Sequence, residues 1–254
     1  MRRALLVALL LAAFVGVWQL VASLPSVDDL TLASPAETAR ALHDDWSLLM
    51  DNAGTTLVEV LLGLAIAVVA GLVFAVAMHL SHVLREAAYP LLVASQAVPV
   101  VIVAPLLVVW FGFGIFPKLV IIAVVCFFPI VVTTLDALAA VDPDQRKLLT
   151  TLDATRWQAF RWAEAPAALP AALSGAKIAV AVAVIGAVFA EYAGSCEGLG
   201  HLVLTSIPQL ETARAYAAVV LLAAFAVLLF ALLALAERRL VPWAHRRPEG
   251  AARP

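Results

Sequence analysis

The chain has 254 residues, of which 64% are hydrophobic and 13% charged, and its formal net charge is -2; the mean hydropathy is +1.02. A soluble domain carries about 25% charged residues and roughly half apolar ones, so this composition excludes a water-soluble globular fold and makes lipid the solvent. No basic nucleic-acid footprint is present, and the two cysteines, Cys126 in an apolar run and Cys196 in a more polar one, argue against a disulfide or a metal cluster.

A segment needs roughly 20 mostly apolar residues to cross about 30 Å of hydrocarbon. Six stretches qualify: Leu5–Leu24, Leu57–Met78, Leu91–Val109, Leu119–Leu138, Gly175–Tyr192 and Tyr216–Ala236. Each is expected to be a helix, because an isolated run in lipid must satisfy its own backbone hydrogen bonds. The first follows Arg2 and Arg3 as a leader peptide would, but its length and the lack of a closing small-x-small site predict that it stays attached. Pro25 to Thr56 reads as a loop with a short helix starting at Ser34-Pro35-Ala36-Glu37, with serine as cap and proline in the first turn. Ala193 to Ala215 is a second loop, and Ala139 to Ser174 a third.

Basic residues set the orientation. Arg2, Arg3, Arg85, Arg146, Lys147, Arg156, Arg161, Arg238, Arg239, Arg246, Arg247 and Arg253 fall on one side, whereas Arg40, Lys118 and Arg214 fall on the other. The second side holds Asp28, Asp29, Glu37, Asp44, Asp45, Asp51, Glu197 and Glu211. The expected fold is therefore an all-α, polytopic membrane protein of about six transmembrane helices with both termini cytoplasmic. It forms one domain over residues 1–254, with a core over 57–236 and a cytoplasmic loop over 139–174. Trp18, Trp46, Trp110 and Trp243 lie near predicted membrane edges.

The 139–174 loop carries two helix starts. Asp142-Pro143-Asp144-Gln145 places a cap, a first-turn proline and a glutamine three beyond the cap; Thr155-Arg156-Trp157-Gln158 repeats the capping-box logic. Asp153 falls at the turn between them. The first helix is expected to present Leu148, Leu149 and Leu152, the second Trp157 and Phe160, before Pro166 and Pro170 stop or bend the chain. Exposed apolar side chains rimmed by charge mark a partner site or a helix lying flat on the inner leaflet, and spacing alone leaves both open.

Charges inside spans are functional suspects by default. Glu59 and Lys177 sit near predicted helix ends, where snorkelling accounts for them. Glu191 ends the fifth span, as a gate or a packing residue. Ser95, Gln96, Thr133 and Thr134 suit a polar path or hydrogen bonds to neighbouring helices. Gly175, Ala179, Ala183, Gly186, Ala187 and Ala190 form a small-residue stripe suited to close packing or to lining a path. His79 and His82 are spaced to put two metal ligands on one helical face, but no third ligand lies nearby in sequence and a membrane-edge position accounts for them. No catalytic constellation is evident.

The stretch Leu152–Pro170, LDATRWQAFRWAEAPAALP, resembles the "EAA" loop of binding-protein-dependent ABC importer permeases, and more narrowly the nitrate/sulfonate/taurine group. Ala154, Thr155 (for serine), Arg156, Trp157, Phe160 and the run Pro166–Pro170 match that pattern; so do Ala190-Glu191, Gly194, Gly198-Leu199-Gly200, Trp110-Phe111-Gly112 and Phe128-Pro129 in order along the chain. Lys147-Leu148-Leu149 occupies the Glu-Ala-Ala position, Asp153 the glycine, and Ala165 the leucine before Pro166. The family glycine allows a positive φ at the helix end, which aspartate tolerates better than most residues.

The resemblance implies a permease whose loop docks in a separate cytoplasmic ABC ATPase, present in two copies. It also implies a second permease copy forming a homodimer, an extracytoplasmic substrate-binding protein, contact with membrane lipid but not nucleic acid, and no cofactor. The chain carries no phosphate-cradling loop: Lys118, Lys147 and Lys177 are each followed by leucine or isoleucine. Gln96, Trp110, Thr133 and Glu191 are the pathway or gate candidates. The C-terminal segments Ser206–Ala218 and Glu237–Trp243 resemble the branch for thiamine-precursor pyrimidines, with riboflavin, nitrate and alkanesulfonate permeases as relatives. An ion-gradient-driven transporter is the competing reading, supported by Pro90, Pro99 and Pro105 around the third span but lacking acidic residues at span centres.

Overall fold

The computed structural model describes residues 2–25, 28 and 31–245. Asp29, Arg246, Arg247 and Arg253 of the charge pattern lie outside the described residues. The helices are α1 (Arg2–Ala22), α2 (Pro35–Asp44), α3 (Trp46–Leu80), α4 (His82–Ser95), α5 (Val100–Phe111), α6 (Ile115–Ala139), α7 (Pro143–Thr151), α8 (Arg156–Ala159), α9 (Ala165–Gly194), α10 (Leu199–Ser206) and α11 (Thr212–Leu240). A π-turn, Phe160–Glu164, joins α8 to α9. Among the described residues, five helical stretches are long and apolar enough to cross a membrane, or six if the bent pair α4–α5 is counted as one span.

Two departures from the sequence expectation concern proline. The third span is not one helix: α4 and α5 meet at 100° across residues 96–99, because Pro99 offers no N–H to an α-helical ladder and disfavours helical geometry at the residue before it. Conversely, Pro166 and Pro170 do not stop the chain, which is helical from Arg156 to Gly194. The π-turn falls directly before Pro166, where the α-type bond to Trp162 would lack its donor.

The chain divides into two compact units, Met1–Val58 with Glu191–Phe225 and Glu59–Ala190 with Ala226–Pro254. In the second, α6 is the core helix: Ile122, Cys126, Ile130, Val131, Leu135 and Leu138 are all buried. Gly63 and Gly71 of α3 are pressed against Ile122 and Ile130, whose side-chain atoms come within 2.6 and 2.8 Å of where a Cβ would stand. Both numbers rise together, so α3 and α6 run parallel. On α9, Gly175 meets Thr133 and Gly186 meets Ile122, so α9 runs antiparallel to α6. The small-residue stripe, with Ala179, Ala183 and Ala187 fully buried, is thus a packing face at this crossing.

The snorkelling expected of Glu59 and Lys177 is replaced by pairing. Lys118 Nζ lies 2.6 Å from Glu59 Oε1, both side chains being buried, and Lys177 Nζ lies 2.6 Å from Glu237 Oε2. Glu59 sits well inside the 35-residue α3 rather than at the start of a span, so its charge needs a partner, not a route to water.

In the first unit, Trp18 stacks on Tyr216 with ring centroids 5.9 Å apart and donates its indole N–H to the Ala33 carbonyl at 3.0 Å. Arg214 binds Asp45 through two nitrogens at 2.7 and 3.2 Å. The expected start of α2 is a complete capping box between Ser34 and Glu37.

Candidate functional site

The α7–α8 pair is built from local signals. Asp142 caps α7 by accepting from the Asp144 N–H at 2.8 Å, two residues on, so Gln145 plays no reciprocal part. At the other end Ala154 N–H bonds to Leu149 O (3.0 Å) and Asp153 N–H to Thr150 O (3.1 Å), with Asp153 at φ 53°. This is a Schellman motif, with aspartate in the left-handed position usually held by glycine. Thr155 then starts α8, accepting from Gln158 N–H while Gln158 Oε1 accepts from Thr155 N–H at 2.7 Å.

Large apolar side chains are open to solvent along this pair and the π-turn after it: Leu148, Leu152, Trp157 and Trp162 are 62, 69, 54 and 72% exposed. Lys147 pairs with Asp144 at 3.0 Å, and Leu149 is half-buried. Phe160 is not among the exposed side chains. It is buried against Leu138 and Ala168 and stacks under Trp157 at 5.3 Å, because the π-turn rotates it toward α6 and α9.

The segment is fastened to the end of α3. Arg156 Nη2 donates to the His79 carbonyl at 3.0 Å, where a cation favours the negative end of a helix. The His79 ring nitrogen Nε2 lies 2.6 Å from Glu164 Oε2 in the π-turn. His79 and His82 therefore share no helical face: one ends α3 and pairs with Glu164, the other begins α4 and lies 3.4 Å from Glu86. Sequence reading missed Glu164 and the use of His79, since the partners are 85 residues apart and carry no local spacing signal.

Among the remaining candidates, Glu191 is fully buried. One carboxylate oxygen accepts from Thr56 Oγ1 at 2.6 Å, the other from the N–H groups of Gly200 (2.6 Å) and His201 (3.3 Å). These N–H groups open α10, so the carboxylate satisfies its unpaired donors and faces its positive end. Thr56 Oγ1 accepts from Leu199 N–H and Asn52 Oδ1 from Gly198 N–H, both at 2.8 Å. Gly198 has φ 112°, and any Cβ there would strike the Glu191 carboxylate.

Thr133 bonds to its own helix at Pro129 O (2.7 Å) and faces Gly175. Trp110 is exposed in the last turn of α5. Gln96 lies at the α4–α5 break, its amide 3.4 Å from Ser95 Oγ; Pro166 is half-buried in the first turn of α9. The structure thus brings residues 147–160 together on one helix pair, whereas Gln96, Trp110 and Thr133 form no cluster with it.

Comparison with known proteins places this architecture. Residues 67–242 match the profile of the family described as "Binding-protein-dependent transport system inner membrane component". The chain is similar to the "Formylaminopyrimidine transport permease protein ThiX" of Halalkalibacterium halodurans, 36% identical over 84% of this chain and 85% of that one. It is also similar to a "Probable ABC transporter permease protein" of Haemophilus influenzae, 34% identical over 87% and 91%. Among solved structures, the inward-facing MetNI methionine ABC transporter aligns with a TM-score of 0.64 at 20% identity, over 79% of this chain and 98% of that one.

Proposed function

The chain belongs to the inner-membrane components of binding-protein-dependent transport systems, the permease subunits of ABC importers; from that premise we propose how it works. Residues 1–254 act as a single permease domain with both termini cytoplasmic, and two copies form the translocation path. Two copies of a cytoplasmic ABC ATPase hydrolyse the ATP, and an extracytoplasmic binding protein delivers the solute. The α7–α8 pair is the coupling element: Leu148, Leu152 and Trp157 enter a cleft of the ATPase, with Lys147, Leu149, Asp153, Ala154 and Thr155 shaping the pair. Arg156, Phe160 and Pro166 tie it to α3, α6 and α9.

The observation that carries this reading is the contrast between the exposed and the fastened side chains of that pair and the π-turn after it. Four large apolar side chains of this segment are exposed, while Arg156 and Glu164 fasten it to His79 at the end of α3. A force applied to the exposed side chains is transmitted directly to α3 and α9. A helix merely resting on lipid needs no such clamp.

We assign the substrate to the thiamine-precursor pyrimidines, such as hydroxymethylpyrimidine. Support comes from the segments Ser206–Ala218 and Glu237–Trp243 and from the relative whose printed name specifies formylaminopyrimidine. Reconstitution tests both parts. Proteoliposomes holding the permease, its ATPase and its binding protein are expected to take up labelled hydroxymethylpyrimidine only with ATP on the ATPase side. Uptake by the permease alone under an ion gradient would overturn the ABC mechanism, and ATP-driven uptake of riboflavin, nitrate or an alkanesulfonate in its place would overturn the substrate assignment.

A further inference from the structure

The α4–α5 break interrupts the backbone inside an apolar segment. Ten residues of helix separate Glu86 from Gln96, about 15 Å of rise, which sets the break well within a hydrocarbon layer about 30 Å thick. Non-helical backbone at that depth is tolerated only where protein covers it or where it lines a water-filled path. Gln96 and Ala97 are exposed at the break, so none of the described residues covers it.

Two clefts open on either side of the break, of about 440 and 530 Å³. They share one pair of polar side chains, Ser95 and Gln96; every other lining side chain is apolar, from Val103, Leu107 and Ile121 in one to Phe74, Leu91 and Phe127 in the other. Ser95 Oγ donates to Leu92 O at 2.7 Å and accepts only a long 3.4 Å contact from the Gln96 amide, which leaves it able to accept from a solute. The Gln96 amide makes only its 3.4 Å contact to Ser95, and its carbonyl oxygen has no partner among the described residues.

The geometry points to a solute-contact site at this break, in which Gln96 and Ser95 select a neutral, planar, hydrogen-bonding ring. Apolar walls fit the faces of such a ring, and an amide beside a hydroxyl offers a donor and acceptors to its edge. Among the described residues, no charged side chain lines either cleft. An anion moving through would be desolvated without a counter-charge, at a cost far above that of a neutral heterocycle. The inference rests on the permease reading above and adds to it the specificity residues and the charge class of what passes them.

The test uses the complete importer. With hydroxymethylpyrimidine as probe, Gln96→Leu is expected to lower uptake about tenfold and Ser95→Ala by less, since lost hydrogen bonds to a polar substrate discriminate at this level. ATPase stimulation by the loaded binding protein should persist in both. Independently of any substrate, Gln96→Cys in a Cys126→Ser, Cys196→Ser background should react with a membrane-impermeant thiol reagent, whereas Val227→Cys, on the exposed apolar side of α11, should not. Normal uptake by Gln96→Leu, or an inert Gln96→Cys, overturns the site. If the natural protein imports nitrate or ethanesulfonate, the neutral class is overturned even with a reactive Gln96→Cys. Import of a different neutral ring that Gln96→Leu abolishes supports the site and removes only the pyrimidine assignment.

Discussion

Asp153 holds a left-handed backbone, φ 53°, which costs an L-residue roughly 1–2 kcal/mol, part of it offset because aspartate has less unfolded freedom than glycine. Asp153→Gly should therefore stabilise the α7–α8 turn by about 0.5 kcal/mol and Asp153→Val should weaken it by more than 1 kcal/mol. Thermal unfolding in detergent can be read through exposure of the buried Cys126 thiol in a Cys196→Ser background. Gly198 is a harsher case, because its φ of 112° and the adjacent Glu191 carboxylate both exclude a side chain. Gly198→Ala should cost about 2–3 kcal/mol in the same assay. Glu191→Gln should cost less than Glu191→Ala, since the amide oxygen still accepts at the start of α10. At α2, the Ser34 N–H and hydroxyl hold the Glu37 carboxyl below the usual carboxylate range. A depressed folded pKa means that the capping box contributes fully above that range and that the contribution is lost as pH falls through the folded value. Ser34→Ala should thus shift the unfolding midpoint at pH 7 and shift it less near pH 4.

At the scale of elements, what depends on neighbours in sequence was legible, and what depends on distant partners was not. Ser34 caps α2 and the Thr155-x-x-Gln158 capping box forms as predicted, whereas the box at Asp142–Gln145 does not, and the apolar runs lie in helices apart from the break at 96–99. The ion pairs Glu59–Lys118 and Lys177–Glu237 and the His79–Glu164 hydrogen bond join residues 59, 60 and 85 positions apart. No local pattern encodes them, so these charges read as edge residues or ligands. The effect of proline depends on context: Pro99 stands at the break of the third span, while the helix continues through Pro166 after a π-turn. The crossing of α3 over α6 rests on Gly63 and Gly71 seated against Ile122 and Ile130. Gly63→Val or Gly71→Val should cost about 1–3 kcal/mol by overpacking, and pairing Gly63→Val with Ile122→Ala should recover part of the loss, measured by the same thiol-exposure melt.

For the whole molecule, the family is fixed by similarity over most of the chain, and the proposed coupling role rests on the α7–α8 pair. Its exposed side chains and its clamped ones serve different ends. Changes to Leu152 or Trp157 should uncouple the partner while leaving the fold intact, whereas changes to Arg156 or Glu164 should loosen the pair from α3 and α9. The central claim is tested most directly by purifying the tagged protein from its native membranes in mild detergent and identifying what accompanies it. A parallel sample carries Leu152→Glu and Trp157→Ala, both at exposed positions, with its unfolding midpoint checked against the natural chain. The account predicts that an ABC ATPase accompanies the natural protein and is lost from the equally stable variant. An ATPase retained on the variant, or absent from both samples, would contradict it.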